Sequence, residues 1–450
     1  MNYRECVKYL ADLGQELHGL KFGLGPISQI VVELGYPHER YPTAIVAGTN
    51  GKGSTCAMLA SILQRAGYRT GLYTSPHLVR VNERIRVNGA EVSDQDFAIA
   101  FTEVAATVER LARENKLEKT PSFFEFLTAA AFLHFRKADV QFAVLEVGMG
   151  GRLDATNVTD PRVALITNVD YDHVDFLGST LAAIAAEKAG VIKPHRAVIS
   201  GVEDPEAAAV IRRRAQESEA ELLEMAKLAQ ITGLHGVQGR YAFDLAIDQE
   251  HFAGLSSPLL GKFQVKNMAA AVAAVWRLAQ DGFEIPRRCI LQGLGAAAWP
   301  GRLEPILRRP LVLLDGAHNP AAARALATFI REELPGRRLR VVYASMRDKA
   351  MGEISEILFP LAEEVYLTRP EVARAAAPEE IQAALQFRPA ALRVEPEPVR
   401  ALERACVASS PDDVVLVVGS LFLVGAIKKA QREGTLQLPG LSGGAAPQPA

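Results

Sequence analysis

Short apolar, β-branched runs alternate along the chain with longer stretches of helical periodicity. Residues 43–47 (TAIVA), 141–147 (QFAVLEV) and 163–169 (VALITNV) read as buried strands. Helical patterns follow at 54–66, 94–116, 122–136, 180–190 and 204–219. Strands too apolar to have a solvated face, separated by helices, predict a mostly parallel sheet covered by helices. Each apolar run leads into a Gly-rich or polar segment, where α/β proteins carry their ligand loops.

The pattern restarts near Leu303, after the Trp299-Pro300-Gly301 turn. Strands are expected at 311–316 (LVLLDG), 339–344 (LRVVYA) and 414–419 (VVLVVG), with a helix over 320–333. The expected architecture is therefore α/β throughout. A P-loop-type, mostly parallel N-terminal domain occupies 1–298, and a smaller Rossmann-like domain occupies 299–435. Residues 436–450, rich in Gly, Pro and Ala, are expected to be a disordered tail.

Bulk properties narrow the function. The 50 Lys+Arg balance 52 Asp+Glu, so no net field recruits nucleic acid or an acidic membrane. Four scattered cysteines (Cys6, Cys56, Cys289, Cys406) form no CxxC pair, which argues against a zinc site and fits a reducing cytosol. The N-terminus carries charges inside any apolar stretch, unlike a signal peptide. The run from Val414 to Ile427 is too short to span a bilayer. A cytoplasmic protein with no membrane partner is expected.

The sharpest local feature is Gly48-Thr49-Asn50-Gly51-Lys52-Gly53-Ser54, between a predicted strand and a predicted helix. Such a loop lets successive backbone N–H groups and a helix start surround phosphate oxygens, and Lys52 adds a point charge. The hydroxyl of Ser54 or Thr55 is placed to bind magnesium that rides with the phosphates. Because Gly53 separates Lys52 from Ser54, this is not a literal Walker A string.

Other positions carry chemistry with more than one reading. Glu146 closes a hydrophobic strand, so its carboxylate emerges at the ligand edge, as a magnesium ligand or as a solvent-facing strand end. His173 lies among carboxylates in Asp170-Tyr171-Asp172-His173-Val174-Asp175, as ligand, base or solvated loop residue. Lys188 reads by default as an exposed helix lysine. Asn319, before Pro320, is a natural helix cap. Arg302 can fork onto phosphate or sit at the surface. Phe123, Phe124 and Glu125 could face a flat heterocycle, or the aromatics could be core.

GTNGKGS resembles the Mur-ligase superfamily, and within it the folylpolyglutamate synthase/dihydrofolate synthase family. KFGLGPI (21–27), TSPHL (74–78), NERIRVNG (82–89), SFFEFLTAAAF (122–132), LEVGMGGRLDATN (145–157), ITNVDYDHVDFLG (166–178), EKAGVIK (187–193), WPGRLE (299–304) and DGAHNP (315–320) match that family in order. The resemblance runs from about residue 20 to about residue 430. Two departures bear on substrate detail: Gly25-Pro26 replaces a charged pair, and Phe263-Gln264 replaces His-Gln.

The resemblance implies an ATP-dependent ligase that joins L-glutamate to a pteroate or folate carboxyl through an acyl phosphate, bifunctional for both acceptors and monomeric. The first domain would bind ATP and pteroate, and the second would be the glutamate-ligase domain. Glu146 is implied as a magnesium ligand with Ser54, and His173 as the ligand of a second magnesium with Ser75 nearby. Lys188 matches a lysine carbamylated by CO₂. Asn267 is implied at the adenine or ribose, and Arg302, Asp315 and His318 at nucleotide once the domains close. Phe22, Gly23, Leu24, Phe123, Phe124, Glu125, Arg152, Leu153 and Asp154 fall on segments around the pteroate pocket. A peptidoglycan-precursor ligase of the same superfamily, a monofunctional folylpolyglutamate synthase and a non-enzymatic nucleotide-binding module are the alternatives.

Overall fold

The computed structural model describes residues 1–14 and 23–438. The chain forms two compact units. The first comprises Met1–Gly236, Tyr241–Pro258 and Gln264–Ala298, and the second Val237–Arg240, Leu259–Phe263 and the chain from Trp299 onward.

The first unit is built on an eight-stranded sheet of β1 (Thr43–Ala47), β2 (Thr70–Tyr73), β3 (Ile85–Val87), β4 (Ala90–Glu91), β5 (Phe142–Glu146), β6 (Val163–Ile166), β7 (Ala197–Ser200) and β8 (Glu221–Glu224). The spatial order is β4-β3-β2-β5-β1-β6-β7-β8. Every pairing from β2 to β8 is parallel, whereas β3 and β4 form an antiparallel margin. β1 lies at the centre because all five of its residues are buried, and a strand without a solvated face needs a neighbour on each side and helices on both faces. Full burial of an aliphatic side chain such as Ile45 contributes about 1.5–3 kcal/mol.

The helix Lys52–Arg65 packs against the helices Gln264–Gln280 and Arg287–Ala296, and Ser61 Oγ donates to the Gly293 carbonyl at 2.7 Å. The expected strands omit a three-stranded antiparallel sheet, β9 (Ala229–Val237), β10 (Arg240–Ile247) and β11 (Glu250–Ser256). Its alternation of buried and half-exposed positions along β10 is a two-residue period, which a search for continuous apolar runs passes over.

The second unit carries β12 (Glu304–Arg308), β13 (Leu311–Leu314), β14 (Leu339–Tyr343), β15 (Glu364–Leu367), β16 (Ala391–Val394) and β17 (Val414–Val418), ordered β12-β13-β17-β14-β15-β16. Only β12 is antiparallel to its neighbour. Residues 436–438, placed by the sequence reading in a disordered tail, are held. The Leu436 amide donates to the Ala430 carbonyl at 3.3 Å, the Gln437 amide donates to Glu403 at 2.8 Å, and Leu438 is buried. The rest of the expected tail lies outside the described residues.

A buried charge network ties the second sheet together. Arg340 on β14 donates from Nη1 to Asp413 at 2.9 Å and lies 3.4 Å from Glu364. Asp413 also accepts from Arg338 Nε at 3.1 Å and from the Ser410 amide at 2.8 Å. Burial pushes the Asp413 carboxyl up, but the Ser410 amide and the two guanidinium groups outweigh it and hold the pKa below the ordinary value. Glu364 is held low in the same way by Arg393, Tyr366 and Arg340 against its burial. A carboxylate with a depressed folded-state pKa stabilises the fold above its unfolded pKa, and that stability disappears as pH falls through the folded value. Arg340→Met should therefore destabilise the protein by about 3 kcal/mol. It should also flatten the loss of thermal stability that wild type shows on acidification below 3.8, the ordinary Asp value. Thermal denaturation of both proteins across acid pH checks this.

Candidate active site

Parallel pairing brings the site together. Val46 is paired with Glu146 and Ala47 with Ile166, so β5, β1 and β6 end at one edge. The loop Gly48–Gly51, Glu146 and the segment Thr167–Asp170 therefore emerge side by side.

Two glycines are required in the loop. Gly48 has φ 144° and faces the Thr167 side chain so closely that a Cβ would overlap it. Gly51, with φ 84°, caps the helix Lys52–Arg65, and a Cβ there would overlap the Asn267 amide. Asn267 thus lies beside the loop. It donates to Gln264 at 2.8 Å, and Gln264 reaches toward the buried Ser54 hydroxyl at 3.5 Å.

The loop amides need one correction to the sequence reading. Asn168 Oδ1 accepts from the Thr49 amide at 3.1 Å and from the Asn50 amide at 2.9 Å. Thr49 Oγ1 meets the Asp170 backbone at 3.0 Å, and Thr167 Oγ1 donates to the Asn50 carbonyl at 2.7 Å. The amides of Thr49 and Asn50 are thus taken up inside the protein, and an anion is left those from Gly51 into the helix. Lys52 Nζ folds back onto the Gly48 and Thr49 carbonyls at 2.9 and 3.1 Å, which fixes its charge over the loop. Thr55 is fully buried in the first turn. Asn168 is a site residue that motif reading missed, since an Asn after a strand carries no signature of its own.

Around this loop lie the titratable groups. Glu146 is buried and accepts from the Ser75 amide at 3.1 Å, so Ser75 reaches the cluster through its backbone. Lys188, read by default as exposed, is 3% accessible. Burial first, and then the Lys52 charge, lower its pKa to about 7, with Asp172 opposing. Asp172 accepts from the His173 amide at 2.9 Å, and the His173 ring lies 3.9 Å from the same carboxylate. Lys52, Lys188, Asp172 and His173 therefore share one neighbourhood. Among the described residues, no three His, Cys, Asp or Glu side chains gather into a group able to hold a metal ion.

The positions tied by resemblance to pteroate divide. Asp154 is taken up by its own loop, accepting from the amides of Gly148, Met149 and Thr156 at 2.9, 3.0 and 3.0 Å and from the Thr156 hydroxyl at 2.5 Å. Its carboxyl is nonetheless pushed up by burial. Phe124 belongs to the core, against Tyr73. One Glu125 oxygen accepts from the Ser122 amide and hydroxyl, both at 2.8 Å, in a capping box, while Oε1 is shielded with no hydrogen-bond partner. Phe123 is half-buried with the Arg84 guanidinium 5.2 Å above its ring. Arg84 is itself buried and donates to His77 Nδ1 at 2.9 Å, a cluster that sequence reading left unassigned. Arg152 is exposed and bridges Glu187 at 2.8 Å, and Leu153 is half-buried beside it. Gly23 and Leu24 are half-buried, whereas Phe22 lies outside the described residues.

In the second unit, Asp315 is buried and accepts from the Leu303 and Ala317 amides, each at 2.8 Å. Burial raises its carboxyl against the nearby Arg302. Arg302 donates to the Gly301 carbonyl at 3.1 Å, and His318 Nδ1 lies 2.7 Å from the Gly316 carbonyl. Asn319 caps the helix Pro320–Glu333, accepting from the Ala322 amide at 2.9 Å.

A glycine loop between strand and helix in a parallel sheet, followed by a second, mostly parallel α/β unit, fits the layout of a Mur-type ligase. The chain matches the Mur ligase middle domain over residues 46–275 and the Mur ligase glutamate ligase domain over 301–421. A dihydrofolate synthase/folylpolyglutamate synthase of Bacillus subtilis is 33% identical over 92% of this chain and 96% of its own length. The structure of the Escherichia coli enzyme with DHPP and ADP matches at TM-score 0.85 and 30% identity, covering 96% of this chain and 98% of that one. A Yersinia pestis bifunctional folylpolyglutamate synthase/dihydrofolate synthase complexed with AMPPNP and a Mn ion matches at TM-score 0.84 and 30% identity, again over 96% and 98%. The chain belongs to the dihydrofolate synthase/folylpolyglutamate synthase family.

Asn168→Ala would remove the side-chain oxygen that two loop amides share, while the Thr49 amide keeps the Asn168 carbonyl at 3.1 Å, at a cost of about 0.5–1.5 kcal/mol. The expected result is a lower melting temperature with nucleotide affinity reduced about tenfold, measured by calorimetric titration with a non-hydrolysable ATP analogue.

Proposed function

We propose that this protein is an ATP-dependent ligase that adds L-glutamate to both a pteroate and a folate carboxylate. The observation that carries the reading is the gathering of Glu146, Lys52 and Lys188 at one sheet edge around the Gly48–Gly51 loop.

Lys52 and the amides from Gly51 onward hold the ATP phosphates, with Asn267 on the nucleoside side. The donors fit magnesium. Ser54, Ser75 and Glu146 offer hard oxygens, and His173 extends the set toward a second ion. Bound magnesium would neutralise phosphate charge as phosphoryl transfer proceeds. The acceptor carboxylate attacks the γ-phosphorus, the bond to the bridging oxygen breaks, and ADP leaves an acyl phosphate. The neutral amine of glutamate then displaces phosphate to form the amide. Lys52 holds the phosphates in line, which is where most of the rate gain in such transfers arises.

A buried lysine whose amine is half neutral near pH 7 suits carbamylation. The amine attacks CO₂, an N–C bond forms, and a proton leaves to solvent. The product anion removes a like charge from beside Lys52. The reading also takes the protein as a cytoplasmic monomer. Among the described residues no helix is long and apolar enough to cross a membrane, and all four cysteines are buried thiols.

Purified protein with ATP, Mg²⁺ and L-glutamate should release phosphate and add glutamate to dihydropteroate and to tetrahydrofolate alike, with products confirmed by mass. Lys52→Ala should abolish both reactions while the melting curve stays that of a folded protein. Release without glutamate addition to either acceptor would overturn the substrate reading. Carbon-13 bicarbonate should yield a carbamate resonance in wild type that is lost in Lys188→Ala. The neutral fraction of Lys188 rises with pH through about 7, so at fixed dissolved CO₂ the resonance should grow across that range. A resonance that fell with rising pH would exclude Lys188 as its source.

A further inference from the structure

Arg374 is a cation that meets no anion among the described residues of the second unit. Just beyond the carboxyl end of β14, the chain at Met346 bridges the chain at Ala375, and the amides of Arg347 and Ala376 donate across to the carbonyls of Arg374 and Ser345 at 3.1 and 2.9 Å. This cross-link brings two arginines to one place, and they are treated differently. Arg347 is held by Glu380 at 2.9 Å and by the Ala373 carbonyl at 2.8 Å. Arg374 makes no ion pair among the described residues. Its Nη1 is shielded from solvent without a hydrogen-bond partner, and its guanidinium carbon lies 5.5 Å from the centre of the Phe422 ring.

A shielded guanidinium nitrogen without an acceptor is costly, so its retention calls for a ligand. The cation–π contact with Phe422 restrains the guanidinium, which favours a bidentate oxyanion partner. Phe422 opens the helix Leu421–Glu433 directly after β17, next to Leu421, whose side chain adjoins Gly316. The guanidinium therefore stands at the ends of β14 and β17, beside the segment that carries Asp315 and His318. A parallel sheet receives ligands at this edge.

We propose that Arg374 binds a carboxylate of the incoming L-glutamate and sets the specificity of this half-reaction for an acidic amino acid. The inference rests on the ligase reading above and deepens it. Glutamate reaches the acyl phosphate with both its carboxylates free. A fixed guanidinium in the unit that matches the glutamate ligase domain meets one of them, while the amine stays free to attack.

The test separates the two half-reactions. Wild type, Arg374→Gln and Arg374→Lys are compared for acyl phosphate trapped by hydroxylamine without glutamate, and for glutamate addition. Hydroxamate yield reports folding and the first step, and should be the same in all three. KM for L-glutamate should rise about 10- to 100-fold in Arg374→Gln, and less in Arg374→Lys. KM for ATP and for the pteroate acceptor should hold. L-glutamine and L-isoglutamine, each lacking one free carboxylate, identify the group bound. Wild type should reject one of them strongly, and Arg374→Gln should lose that discrimination. An unchanged glutamate KM overturns the proposal, as does a parallel loss of hydroxamate, which would make Arg374 a residue of the fold or of the first step. Wild type that traps hydroxamate yet adds no glutamate would overturn the glutamate reading itself and this inference with it.

Discussion

The site rests on the parallel pairing of β1 between β5 and β6. Parallel strands end at the same edge, so three separate stretches of chain deliver a glycine loop, a carboxylate and a polar segment to one place. The loop cannot satisfy its own backbone, because its turn into the helix leaves donors and acceptors pointing outward. Asn168 and Thr167, at the end of β6, take up the Thr49 and Asn50 amides and the Asn50 carbonyl. Any shift in the β1–β6 register would detach that segment from the loop, so the shape of the anion site is set by strand pairing two steps away.

Charge is arranged on this frame with unusual economy. Lys52 is turned onto two carbonyls of its own loop, and Lys188 is buried near it with its pKa near 7. Burial, and then the Lys52 charge, disfavour the ammonium form of Lys188. The second unit divides its charges by position. At the starts of its strands, Arg340, Asp413 and Glu364 form one charge network with Arg338 and Arg393. At the ends, Arg374 has a shielded nitrogen with no hydrogen-bond partner among the described residues. The first arrangement contributes stability, and the second costs it.

How much was legible follows from the range of each interaction. GTNGKGS was readable because its neighbours in sequence are its neighbours in space, and the strand and helix on either side are strongly patterned. Glu146 was readable from its place at the end of an apolar run. Lys188 looked like an exposed helix lysine by its local pattern, and only the family resemblance singled it out, because its burial comes from tertiary packing that the helical pattern does not show. Asp154 and Phe124 fell on family segments around the pteroate pocket, yet the fold places one inside its own loop and the other in the core. The β9–β11 sheet went unseen because its alternating pattern is weaker than the continuous runs of the parallel strands.

By itself the sequence determined the α/β class, the restart near Leu303, the glycine loop between strand and helix, and the family, all of which depend on local periodicity or contiguous motifs. The tertiary structure alone decided which loop amides are taken up by Asn168, which lysine is buried with a lowered pKa, and which arginine meets no carboxylate among the described residues. Those outcomes depend on dielectric and on hydrogen-bond partners brought together across the chain. A residue's type specifies its chemistry, but only packing sets the free energy at which that chemistry operates.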